Sequence, residues 1–271
     1  MAEVSRLTTA LVLGLLLTTQ AAGAQTADER TAARDVLNRH GDAIVTVMGT
    51  LKARMSQAGR DRPAPDQAVQ ASATVLDGSG LTVLALSSID PGTLMGRNPA
   101  FAAAQMKIET ELTDVKLRLG DGTEIPAQIA LRDSDLDLLF IRPATAPTKP
   151  LTAVDANSPV FNLVDPVVLV QRLGEVAAWK TSAGIGTIEV VVDKPRRFYL
   201  FGTTAAANGL GSAIFDVKGQ FAGIVTLRQS SDAKHNALNG MQGGLLQTLG
   251  MVAAIIPAAD IRDVAKQATA R

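Results

Sequence analysis

The chain of 271 residues has no cysteine, so it can form no disulfide, no thiolate metal site and no cysteine nucleophile. Aromatic residues make up only 3% of it, which weakens any case for base-stacking or carbohydrate-binding platforms. Basic and acidic residues number 26 each, the net charge is zero, and no basic stripe offers a nucleic-acid surface. Only two histidines are present, His40 and His235. The three aspartates Asp133, Asp135 and Asp137 alternate along the chain without the glycine and terminal glutamate of a calcium loop. No metal and no cofactor is therefore expected. After the first 24 residues no apolar run is long enough to span a bilayer.

What is present is an aliphatic core, with 46% hydrophobic residues drawn mostly from Ala, Val, Leu and Ile. Residues 1–24 read as a secretory signal peptide: Arg6 is basic, Ala10–Leu17 is apolar, and Ala22-Gly23-Ala24 is a small-residue cleavage site. The alternative is a short membrane anchor. The expected product starts near Gln25, lies in the periplasm or outside the cell, and has no stable membrane span.

Thr26 and Glu29 have capping-box spacing, and Ala33, Val36, Leu37 and His40 share a helical face, so a helix is expected over 27–40. Ala43–Met48 reads as a strand, and Lys52–Pro65 as a solvated loop. Strands follow at Val69–Leu76 and Leu81–Leu86, then a connection over 91–112 containing a short helix, then a hairpin of Val115–Leu119 and Glu124–Leu131. A linker over about 143–159 separates a first half, about 43–142, from a second, about 160–257. In the second half Val167–Val170 is a strand, Thr181–Gly186 and Thr187–Val192 read as a hairpin, and Arg196–Phe201 is a further strand. Met251–Pro257 reads as a last strand, and Ala259–Thr269 as a closing helix with Ile261, Val264 and Ala265 on one side.

The stretch 203–227 organises this pattern. A loop of small residues leads into Ala213–Val217, Lys218-Gly219 makes a turn, and Gln220–Leu227 returns. The order Asp77-Gly78-Ser79-Gly80, then Leu84–Asp90, then Asp133–Ile141, then this loop and hairpin, resembles the protease domain of HtrA/Deg-type trypsin-like serine proteases. The resemblance covers about residues 30–270 and implies an all-β, chymotrypsin/trypsin-like double β-barrel with an N-terminal and a C-terminal helix and no PDZ domain. Residue by residue, it places Ser88 where the family has histidine and Asp137 on the catalytic aspartate. Against the family's Gly-Asn-Ser-Gly-Gly-Pro-Leu, this chain has Asn208-Gly209-Leu210-Gly211-Ser212-Ala213-Ile214, which puts Leu210 at the nucleophile.

Such a protease needs serine, imidazole and carboxylate acting as a unit, and loss of one member costs about 10⁴–10⁶-fold in rate. Ser88 is no base near neutral pH, and Leu210 has no nucleophilic atom. The resemblance therefore implies an inactive, exported pseudoprotease that binds a peptide or partner protein in the cleft between its barrels, with Gly209, Gly211 and Ser212 at the cleft. Asp137, with no imidazole to orient, should accept hydrogen bonds from Ser87 or Ser88 and from backbone amides. Two alternatives stand beside this. One is an active serine endopeptidase rearranged around Ser212, using His235, His40 or a lysine (Lys180, Lys194 or Lys218) as base. The other is a structural subunit of an envelope assembly.

Overall fold

Thr26 opens the first helix through a reciprocal cap: the Glu29 amide donates to Thr26 Oγ1, and the Thr26 amide donates to the Glu29 carboxylate at 2.8 Å. The computed structural model describes residues 26–57, 60–92, 105–155, 158–202, 209–229 and 251–269. The expected signal peptide 1–24, the expected short helix, Asn208 and His235 lie outside them.

Helix α1 (Ala27–His40) is followed by a single 3-10 turn, Gly41–Ala43. Seven strands make the first half: β1 (Ile44–Gln57), β2 (Arg60–Pro63), β3 (Gln67–Val75), β4 (Thr82–Ala85), β5 (Met106–Arg118), β6 (Glu124–Asp133) and β7 (Leu138–Pro143). Their order is β2-β1-β3-β4-β7-β6-β5, and β5 also pairs with β1. Six strands thus close into an antiparallel barrel, with β2 outside the ring. The second half holds β8 (Pro166–Arg172), β9 (Thr181–Val192), β10 (Phe198–Gly202), β11 (Ala213–Asp216), β12 (Phe221–Gln229) and β13 (Met251–Pro257), followed by helix α2 (Ala258–Thr269). These strands form a second closed barrel in the order β10-β13-β12-β11-β8-β9. Closure pairs each strand of either ring with two neighbours over part of its length, the usual solution for an all-β domain.

Three expectations fail here. The connection expected over 91–112 ends early, because β5 begins at Met106 and pairs with β1 well before Val115. Lys52–Pro65 is not a loop: β1 runs on to Gln57, turns, and pairs with β2. Its charges sit on an exposed sheet face where Lys52 lies opposite Glu111 and Arg54 opposite Glu109 on β5. Cross-strand pairs of opposite charge support a solvated strand as well as a solvated loop. Likewise, Thr181–Val192 is one continuous strand rather than a hairpin. Its neighbour register slips between Leu200 and Phe201, so the irregularity is a bulge at Glu189, not a turn at Gly184 or Gly186.

One core cluster runs through both barrels and both helices. It joins Val36 of α1, Leu138 and Phe140 of β7, Phe215 of β11, and Ile261 and Val264 of α2. Helix α1 lies on β8 and β9 of the second barrel, whereas α2 touches β12 and β13 and reaches back to β6 and β7 of the first.

His40 fastens α1 to the second barrel. Its ring is buried, stacks on Phe215 with centroids 4.6 Å apart, and places Nε2 2.9 Å from the Gly219 carbonyl. Burial lowers the imidazole's pKa from 6.5, partly opposed by that carbonyl. The folded state therefore binds fewer protons than the unfolded chain, and this contribution to stability is lost as pH falls below 6.5. A His40→Gln variant should melt with less loss of stability than the parent between pH 7 and pH 5, measured by circular dichroism. Equal slopes would show that His40 does not titrate with unfolding.

Candidate functional site

Where the barrels meet, four segments enclose a polar cleft of about 350 Å³. Gln70, Ala71 and Ser72 come from β3, and Ser87 and Ser88 from the 3-10 turn after β4. Gln171 to Gly174 come from the end of β8, and Leu210 comes from the loop before β11. Ser88 and Leu210 thus line one space.

Asp137 lies beneath it. The preceding turn is set by Asp133, whose Oδ1 accepts the amides of Asp135 and Leu136. The chain then passes through a left-handed conformation at Asp137, φ +60°, which an aspartate tolerates better than most side chains. That twist directs a fully buried carboxylate into the seam. Oδ1 accepts the Ser87 amide at 2.7 Å. Oδ2 accepts the Ser87 hydroxyl at 2.6 Å and the Leu227 amide at 2.8 Å. Its carbonyl accepts the Leu86 amide. Ser87 belongs to the first barrel and Leu227 to β12 of the second, so one side chain pins both. Burial pushes the carboxyl up to about 6 from its usual 3.8, against the opposing pull of the Leu227 and Ser87 hydrogen bonds and of Arg228.

Of the two expected hydroxyl partners, Ser87 is the one used. Ser88 turns away and donates to the Ala85 carbonyl at 2.6 Å.

Gly209 to Ser212 form a tight turn. The Ser212 amide donates to the Gly209 carbonyl at 2.9 Å, with Gly211 at φ +80° in the third place. A type II turn asks for glycine there. A Cβ on Gly211 would also meet the Ser72 carbonyl at 2.6 Å, so the turn is seated directly on β3. The Gly211 amide donates to Val225 at 2.8 Å, and both turn amides are therefore spent within the protein. Ser212 is fully buried, and its hydroxyl lies 3.2 Å from Gln171 Oε1. Leu210 packs half-buried against the second barrel's core. His40 is committed to Gly219, as described above.

Arg172 is the functional-looking residue that sequence reading overlooks. It is buried, and its guanidinium donates to three carbonyls: Nε to Ile44 at 2.6 Å, Nη1 to Trp179 at 2.9 Å and Nη2 to Gly41 at 2.8 Å. Its amide donates to Ser72 Oγ at 3.0 Å. Desolvation lowers its pKa. The one sequence signal was a charged residue closing the apolar run of β8. Among the described residues, no three acidic or histidine side chains cluster as metal ligands, and no helix is long and apolar enough to cross a membrane.

Two closed six-stranded antiparallel barrels, a helix at either end and a cleft along the seam make this a double β-barrel protein of trypsin-like layout. No protein-family model matches the chain, and no curated protein matches it.

Proposed function

We propose that this protein is a non-catalytic, exported relative of the HtrA/Deg-type proteases that holds an extended polypeptide at its barrel seam without cutting it. The observation that carries the reading is the Asp137 carboxylate. The group that in a protease would orient an imidazole instead receives three hydrogen bonds from Ser87 and Leu227. Beside it stand Ser88 and Leu210, neither able to serve as the base or nucleophile.

Binding is supported by β12. Its pairing with β11 ends at Ile224. Beyond that point Val225 bonds to the Gly209–Ser212 turn and Leu227 donates to Asp137. Backbone groups alternate sides along a strand, so the Leu227 carbonyl and Gln229 backbone face the same way. Among the described residues no strand occupies that side. An added strand would gain main-chain hydrogen bonds there.

Fluorescein-labelled denatured casein tests this. Anisotropy should rise on mixing, no fragments should appear on gels, and Leu210→Glu should weaken binding. A fluorophosphonate label that disappears in Ser212→Ala, together with cleavage of the casein, would instead establish a rearranged endopeptidase. Failure to bind casein, with neither label nor cleavage, would favour a structural subunit.

A further inference from the structure

The cleft where the barrels meet is polar yet offers no charge to a visitor. None of the residues lining it is acidic, and Arg172 is its one ionisable side chain. That guanidinium is committed to the Gly41, Ile44 and Trp179 carbonyls, and Gly120 lies against its head, where a Cβ would meet Nη2 at 3.0 Å. Asp137 beneath is fully buried, with both oxygens already accepting hydrogen bonds. A lysine or glutamate side chain entering this space would lose water and gain no counter-charge. An aliphatic one would leave the lining amides and hydroxyls without partners.

The hydrogen bonds already made decide which groups remain. Ser88 donates its proton to the Ala85 carbonyl at 2.6 Å, and Ser87 donates its own to Asp137. Each hydroxyl keeps only the lone pairs of its oxygen. Gln171 is the reverse case. Its Oε1 accepts the hydroxyl of the fully buried Ser212 at 3.2 Å, so the two N–H groups of Nε2 are what it keeps for the cleft.

One space is therefore lined by a neutral donor from β8 and neutral acceptors from the turn after β4. The complement is a group that accepts through one atom and donates through the next, without charge. A primary amide is such a group: its C=O takes the Gln171 N–H, and its NH₂ gives to Ser88 Oγ. Gln70 stands at the rim as a second amide, exposed and laid directly against Gly174, where a Cβ would collide with its Nε2. It can donate or accept by turning over.

We propose that this cleft is a subsite for an asparagine or glutamine side chain of the bound polypeptide, with Gln171 and Ser88 setting the specificity and Gln70 closing over it. The inference rests on the reading of the protein as a polypeptide binder and names what that binder selects. At about 350 Å³ the space lies at the small end of ligand sites, in keeping with one side chain rather than a long segment.

Short fluorescein-labelled peptides of alanine, serine and valine, alike except for one central residue, test this by anisotropy with the purified protein. Peptides with central glutamine or asparagine should bind at least about tenfold more tightly than those with glutamate, lysine or leucine. Gln171→Glu keeps the acceptor for Ser212 but puts a carboxylate oxygen where the cleft had its donor. It should invert the order, so that the lysine peptide binds more tightly than the glutamine peptide. Ser88→Ala removes the acceptor alone and should narrow the glutamine-over-leucine difference. A wild type that binds denatured casein but treats the peptides alike, or binds none of them, overturns the subsite and leaves polypeptide binding standing. A Gln171→Glu protein that melts like the parent and keeps the parental order overturns it too. Absence of binding to casein and peptides alike would sink both readings together.

Discussion

Asp137→Asn is expected to destabilise the protein by about 2–3 kcal/mol at neutral pH, although the two side chains have nearly the same shape. The carboxylate accepts at both oxygens. An amide turned one way sets its NH₂ against the Ser87 amide, and turned the other way against the Leu227 amide. Either choice buries two donors facing each other. For a chain of this size the melting temperature should fall by about 4–12 °C. The deficit should also depend on pH. With the carboxyl raised to about 6 in the fold, the native state binds the proton more tightly than the unfolded chain does. The parent's stability from this group is therefore fully present below its unfolded value of 3.8 and lost as pH rises toward 6, by roughly 3 kcal/mol in all. The protonated carboxyl keeps its contacts by donating to Ser87 Oγ while still accepting from Leu227. The gap between parent and Asp137→Asn should therefore widen as the pH is lowered from 7 through 6 toward 3.8, as denaturant titrations at neutral pH and near the lower end of that window would show. A constant gap would mean that Asp137 stays ionised throughout. The slope has the opposite sign to that of His40, so the two single variants separate contributions that partly cancel in the parent.

Arg172→Met should cost a similar amount, about 3 kcal/mol, for a different reason. The aliphatic stem keeps its packing, but the Gly41, Ile44 and Trp179 carbonyls lose their donor. These carbonyls belong to the turn after α1, the start of β1 and the hairpin after β8. The loss should therefore appear as a lower denaturation midpoint and as faster amide exchange in all three places. Arg172→Lys should recover only part of it, because an ammonium cannot serve three divergent acceptors. A midpoint unchanged in Arg172→Met would show that water replaces the guanidinium at little cost.

Much of the barrel pattern is legible in the residues because it rests on local chemistry. The Thr26–Glu29 box, the Lys218-Gly219 turn and the apolar runs at Leu138 and Met251 each carry their own signal. The sequence misleads where a charged strand is satisfied by a neighbour far along the chain, as with Lys52 and Arg54 opposite Glu111 and Glu109. It also misleads at Thr181–Val192, where interior glycines mimic a turn. At the site, the buried acceptor role of Asp137 follows from the lack of an imidazole to face. The choice of Ser87 over Ser88 does not, because it is decided by which hydroxyl the 3-10 turn aims inward. Nothing local marks Arg172 either, since its acceptors are distant in the chain.

The crossed helices bear on how the chain reaches this state. Helix α1 is made first but lies on strands of the later barrel, and α2 is made last but covers strands of the earlier one. A ribosome therefore delivers α1 well before the surface it needs, and leaves Leu138 and Phe140 without part of their cover until Ile261 and Val264 emerge. Vectorial synthesis cannot complete the halves in turn.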